Sequence, residues 1–345
     1  MPNWKNSADI LRLMVKAFGP GLAGLVACFL VSNHAMAENI KIGMTKLTAA
    51  SPFYIAQEKG YFTAEGLTAE LVFIDTAQTI AVAVVGGDLD FGGAGPSAAF
   101  FNMGGRGGLR IIAGQTHEMP GFPSIAYIVS NQAYAGGLKT LKDFAGHSVA
   151  VTQIGSTYDY AIGLLAEKYH FDINGIRFLA LQTQPNIVSA LAGGQADGAA
   201  LAGTLARPLD QRGDAKIIGW AGEATPYQAS QVYTTAKIAD GKHDMVERFL
   251  RAYRHATRTF HDAFIGQDER RKDGPTAPEM LAIISKYNGL SVDQVKEIIP
   301  YIDAEGRLDE KNVTHQIKWF TSRNMIKGAI DANEMIDKRY AVALP

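Results

Sequence analysis

The residues of this 345-residue chain that could do chemistry sit in short glycine- and hydroxyl-bearing turns. Gly95-Pro96-Ser97 and Gly155-Ser156-Thr157 each stand at a predicted helix start. Free backbone N–H groups and the helix dipole favour negative charge there. Hydroxyls beside such donors can hold an oxygen of a carboxylate, sulfonate or nitrate. Thr116 and His117 stand at the carboxyl end of a predicted strand, where the imidazole could donate a hydrogen bond or carry charge; they also suit a surface loop. Thr204 and Arg207 follow another predicted strand. A guanidinium suits bidentate binding of a carboxylate or sulfonate, or it is a solvated helical Arg. The turns have a plainer reading as well. Ser156 with Asp159 fits a capping box, and Gly-Pro-Ser is ordinary turn chemistry.

Catalytic patterns are lacking. There is no Gly-x-Ser-x-Gly, no His-Glu-x-x-His and no phosphate-binding loop. The single cysteine is Cys28 and the eight histidines are scattered, so neither a metal site nor a cofactor is expected. Tyr158, Trp220 and Tyr227 could stack on an aromatic ligand or pack in a core. Phe53, Tyr158 and Trp220 suit a ligand larger than nitrate. Arg248, Arg251, His255 and Arg258 share one helix face, as a solvated surface or a docking face.

Apolar alternation places strands at 39–45, 67–74, 89–91, 109–113 and 125–129. A second run follows at 149–151, 176–181, 198–201, 216–220 and 231–235. Helices of about ten residues fall between most of them. Gly92 to Gly95 reads as a turn, with Pro96 as the first helical residue. Such alternation implies an α/β protein with largely parallel sheets. After Asp240 the pattern is helical. Met245, Phe249, Tyr253, Ala256 and Phe260 mark one amphipathic helix, and others are expected near 278–287, 292–299, 313–324 and 333–340. The stretches GGDLDFGGAG near residue 90 and GGQADGAALAG near residue 198 share a layout. They suggest two similar units facing one cleft, where open α/β sheets bind ligands.

Lys5, Arg12 and Lys16 precede the apolar run 17–31, and Ala35-Met36-Ala37 fits a small-x-small cleavage site. A secretory leader cleaved after Ala37 is expected, giving a soluble exported protein. Leu25-Val26-Ala27-Cys28 offers a lipoprotein alternative, anchored at Cys28. Losing three of 33 basic and one of 34 acidic residues leaves a net charge of −3. That charge argues against nucleic-acid binding.

Several stretches together resemble the substrate-binding proteins of bacterial ABC importers, in the nitrate/sulfonate/taurine branch with its thiamine-pyrimidine-precursor relatives. They are Ser51-Pro52-Phe53-Tyr54-Ile55-Ala56 with Gly60-Tyr61-Phe62 and Glu65-Gly66-Leu67, Gly87 to Ala98, Leu141 to Thr157, and Leu191 to Asp197. The resemblance implies a two-lobed periplasmic-binding-protein fold of the second structural class with a helical C-terminal tail. Lobe I would be 38–128 completed by 231–345, and lobe II 129–230. Crossings would lie near Tyr127–Ser130 and Gln228–Tyr233. It adds Ser51 and Phe53 as ligand contacts, which could equally be a helix cap and a packed aromatic. The implied function is capture of a small organic anion, a sulfonate or a carboxylate, for delivery to an ABC permease and its ATPase. The protein would be a periplasmic monomer and not an enzyme. A lyase-like enzyme on the same fold and a sensory module for a membrane receptor are the alternatives. The segment between Gly198 and Pro208 departs from many relatives, which carry a Trp-rich stretch there.

Overall fold

The computed structural model describes residues 37–345. The leader and Cys28 lie outside the described residues. In the first lobe the chain forms β1 (Glu38–Met44), β2 (Leu67–Phe73), β3 (Phe91–Ala94) and β4 (Leu109–Glu118). It then crosses to the second lobe for β5 (Ile125–Ser130), β6 (Ser148–Val151), β7 (Arg177–Ala180), β8 (Gly198–Ala202) and β9 (Ala215–Trp220). It returns as β10 (Tyr227–Thr235). The sheet orders are β2-β1-β3-β10-β4 and β7-β6-β8-β5-β9. One strand in each sheet, β10 and β5, runs antiparallel to both its neighbours. The crossings occupy 119–124 and 221–226, ahead of the expected positions. Tyr127–Ser130 already lies in β5 and Gln228–Tyr233 in β10.

Strand β3 departs from its sequence reading. Gly92, Gly93 and Ala94 are strand, not turn, and Pro96 precedes the helix Ala98–Gly104 instead of opening it. The cause lies across the sheet. A Cβ on Gly92 would sit 2.5 Å from the Tyr233 ring, and one on Gly93 would run into the Phe53 ring. Glycine is required by these rings, not by a turn. Ser97 is the N-cap, its hydroxyl accepting from Phe100 N–H at 3.1 Å.

Like β3, the parallel strands β2, β6 and β7 each feed a helix whose N-terminus has a hydroxyl cap. Thr76 caps Ala77–Gly86, Ser156 caps Thr157–Tyr169 and Thr183 caps Gln184–Ala192. The Ser156 cap is half of the expected box. Asp159 donates its N–H to Ser156, but its carboxylate accepts from Gly155 N–H at 2.8 Å.

The tail helix His243–Phe264 buries Met245, Phe249, Tyr253, Ala256 and Phe260, as expected. Phe249 stacks on Phe91 with ring centroids 3.8 Å apart, fixing this helix to the first sheet. Its basic face is answered within the chain. Arg248 pairs with Glu38 at 2.6 Å, Arg251 with Glu65 at 2.9 Å and Arg258 with Glu305 at 2.8 Å. The His255 ring lies flat on Tyr61. The helix Glu310–Ser322 reaches the second lobe, where the Trp319 ring occupies the space a side chain on Gly163 would need. The last expected helix is one turn only, Ala332–Met335. Among the described residues no helix is long and apolar enough to cross a membrane.

Candidate functional site

Carboxyl ends of the parallel strands from both sheets open on a shared cavity of about 90 Å³. From the first lobe come Thr45, Thr48 and Ala49 after β1, Asp75 and Thr76 after β2, and Gly93 to Gly95 in and after β3. From the second come Thr152, Ser156, Thr157 and Tyr158 after β6, Gln184 after β7, and Ala202 and Thr204 at the end of β8. Gln115, Thr116, Ser124, Ala229 and Ser230, from the strands and crossings that join the lobes, complete the wall.

Two neighbours in β4, Gln115 and Thr116, both line the cavity, although alternation would send them to opposite faces. A bulge explains it. Ser230 pairs with Thr116 and Gln231 with Gly114, so Gln115 is skipped. An extra residue of this kind bends the strand and re-aims its side chain. Thr116 meets Ser230 through their hydroxyls at 2.5 Å.

Among the described residues no Lys, Arg or His lines the cavity, and its one carboxylic acid, Asp75, stands exposed at the rim. The positive potential comes instead from backbone. The helices beginning at Ala77, Thr157, Gln184 and Gly203 all start at the cavity wall. Each contributes free N–H groups and a partial positive charge of about half a unit.

The lobes meet over the cavity. Thr157 Oγ1 donates to the Pro96 carbonyl at 2.9 Å, and Ala98 N–H donates to the Gly155 carbonyl at 2.9 Å. Thr48 N–H points to Thr204 Oγ1 at 3.4 Å. A side chain on Gly95 would collide with Thr157, so glycine is needed for this approach.

The structure therefore divides the expected site residues. Gly95, Thr116, Ser156, Thr157 and Thr204 line the cavity. Pro96 and Gly155 lock the lobes together beside it, and Ser97 is a cap. Ser51 is buried, its hydroxyl spent on the Thr48 carbonyl at 2.6 Å. Phe53 is buried beneath Gly93, between Phe249 and Tyr253. His117 lies inside β4, away from the cavity wall, and burial holds its imidazole down to about 4 against the opposing charges of Asp303 and Asp309. Arg207 points elsewhere as well. Its Nε is 3.1 Å from Glu297, and its guanidinium covers the Trp220 ring. Tyr227 packs edge-on against Tyr160. Tyr158 is the expected aromatic that reaches the wall, where its hydroxyl donates to Gln184 Oε1 at 3.0 Å. Sequence reasoning missed Gln115, Thr48, Asp75, Thr76, Thr152 and Gln184. Loops at the carboxyl ends of predicted strands were a signal for all of these, Gln115 included, since it lies just past the expected strand 109–113.

Beside the cavity, Glu118 ends β4 fully buried. Its carboxylate accepts from Ile125 N–H at 3.1 Å. Burial pushes this carboxyl up to about 8, although donors at Ile125, Ser124 and Gly222 oppose the rise. Ser124 and Gly222 lie in the two crossings, and Ile125 opens β5. Among the described residues no group of three His, Cys, Asp or Glu converges as a metal site would require.

A family model described as NMT1/THI5 like matches residues 48–263, which carry β2 to β10 and nearly all of the cavity wall. The chain belongs to the NMT1/THI5-like family. No curated protein matches it. Solved structures resemble this NMT1/THI5-like chain in fold. The ligand-binding component of an ABC-type import system from Staphylococcus aureus, with zinc bound, is 12% identical with a TM-score of 0.72, covering 88% of this chain and 97% of that one. The periplasmic nitrate-binding protein NrtA from Synechocystis PCC 6803 is 14% identical with a TM-score of 0.70, covering 88% and 87%. The periplasmic aliphatic sulphonate binding protein SsuA from Escherichia coli is 16% identical with a TM-score of 0.67, covering 89% and 94%. The two-lobed binding-protein fold expected from the sequence is thus the fold of this NMT1/THI5-like chain.

Proposed function

We propose that this NMT1/THI5-like protein is an exported solute-binding protein that captures a small organic anion between its lobes and delivers it to an ABC permease. It acts as a periplasmic monomer without catalysis, freed by cleavage after Ala37 or held by a lipid at Cys28. Lobe I comprises 38–118 with 227–345, and lobe II 125–220. The reading rests on one observation. A cavity between the two sheets is lined by hydroxyls and fed by four helix N-termini, and among the described residues its wall carries no Lys, Arg, His or Cys and a single carboxylate, Asp75, at the rim. Such a wall can hold an acid group through backbone donors from both lobes at once. A ligand can favour the closed form only by binding it more tightly than the open one. Among the described residues Tyr158 alone offers aromatic surface, so the case for a large aromatic ligand weakens and small sulfonates and carboxylates come first.

A thermal-shift screen of the protein against sulfonates and carboxylates, with product analysis, tests this reading. A specific ligand at a hundred times its dissociation constant should stabilise the protein by about 2.7 kcal/mol and be recovered unchanged. No shift with any acid, or turnover of a bound one, would overturn it.

A further inference from the structure

Gln115 carries a buried polar atom that the protein itself does not use. Its Nε2 donates to the Ala49 carbonyl at 2.8 Å. Its Oε1 is buried with no hydrogen-bond partner among the described residues, and the residue as a whole is 2% exposed. The two ends of an amide look alike, but here chemistry fixes which is which. A carbonyl oxygen cannot bond to the Ala49 oxygen, so the nitrogen must face it and the free end must be an acceptor.

Three features hold this acceptor beside the cavity. The bulge in β4 aims Gln115 at the wall rather than through the sheet. The Ala49 carbonyl pins the amide from behind. Gly93, itself a wall residue, leaves Oε1 room, since a Cβ there would lie 3.2 Å from it. An unmatched buried acceptor costs free energy in any complex that fails to satisfy it.

We infer that Gln115 is a specificity-determining residue whose Oε1 requires an N–H or O–H donor on the ligand, so that the bound anion is a hydroxy- or amino-substituted acid and not a donor-free one. The acid group is held at the helix N-termini, and the donor lies against Gln115. This inference rests on the reading above that the cavity binds a small organic acid.

The test compares matched ligands by calorimetry: ethanesulfonate with 2-hydroxyethanesulfonate, propanoate with 2-hydroxypropanoate, and benzoate with 4-aminobenzoate. The wild-type protein should bind the donor-bearing member of at least one pair about tenfold more tightly or better. Gln115→Met, of similar length but without the acceptor, should lose that preference while binding the donor-free member at least as well as the wild type does. Equal binding of both members in every pair that binds overturns the inference and leaves the proposed function standing. Persistence of the preference in Gln115→Met also overturns it. If no acid binds at millimolar concentration, the proposed function fails and the inference falls with it. The wild-type comparison stands even if the variant does not fold.

Discussion

Asp90 in the first lobe and Asp197 in the second hold the same place. Each follows a left-handed glycine, Gly87 or Gly194, by three residues. Each backbone N–H donates to a neighbouring parallel strand of its own sheet, Asp90 to Lys41 O of β1 at 2.9 Å and Asp197 to Ser148 O of β6 at 3.0 Å. Each carboxylate accepts from the same residue's N–H, at 2.9 Å and 2.8 Å. The lobes diverge three residues further on, where Gly93 in β3 matches Ala200 in β8. In the first lobe that position leans on Phe53 and leaves space for Gln115. In the second it is ordinary strand. The scaffold is repeated, while the recognition surface belongs to each lobe separately.

The largest expected effect concerns neither lobe but the point where they join. Glu118 has its carboxyl raised from 4.5 to about 8, so its penalty to stability grows as pH rises through that window. Glu118→Gln should therefore be more stable than the wild type by about 4 kcal/mol at pH 9, with the advantage vanishing toward pH 4.5. Its neighbour His117 has the opposite sign. An imidazole lowered from 6.5 to about 4 loses its contribution as pH falls through that range. Urea titrations across pH should show the alkaline loss removed in Glu118→Gln and the acid loss retained.

Next comes the divergent position. Gly93→Ala forces a Cβ into the Phe53 ring and should cost about 3 kcal/mol, at the upper end for overpacking. Ala200→Gly, its counterpart, should cost about 1 kcal/mol from backbone entropy. Equal costs would erase the distinction drawn between β3 and β8.

The shared aspartates predict near-equality with one offset. Asp197 also accepts from the Ser148 hydroxyl at 2.8 Å. Burial pulls its carboxyl up, but the Ser148 donors and nearby His147 outweigh that and hold it below the usual range. Asp197→Ala should cost about 2 kcal/mol and Asp90→Ala about 1 kcal/mol by chemical denaturation. The smallest effect is at the seam. Thr157→Val removes one hydrogen bond between the lobes, and ligand affinity should fall about fivefold, worth about 1 kcal/mol, with the unliganded melting point nearly unchanged.

Much of this was readable beforehand because it is local. Ile40 and Ile42 announce β1, Ser156 announces its helix, and Met245 to Phe260 announce the long tail helix. The repeated Gly-Gly and Asp announced the two lobes. What escaped depends on partners far along the chain. Gly92 looks like a turn residue unless Tyr233 is known to lie across it. Gln115 falls just past the expected strand 109–113 with nothing local to single it out, because the bulge that aims it is set by pairing with Ser230 and Gln231. His117 and Arg207 have the right chemistry for an anion, yet β10 and the tail turn one inward while Glu297 claims the other.

The two crossings lie side by side. A side chain on Gly222 would strike the backbone of Met119, Gly121 N–H donates to Glu223 at 2.6 Å, and Glu118 accepts from the first crossing while lying against the second. Two straps fastened to each other along one edge resist twisting and sliding but still bend. The closure proposed above would then be one soft rotation about the line through both straps, the lobes swinging like a door and returning to the same register each time.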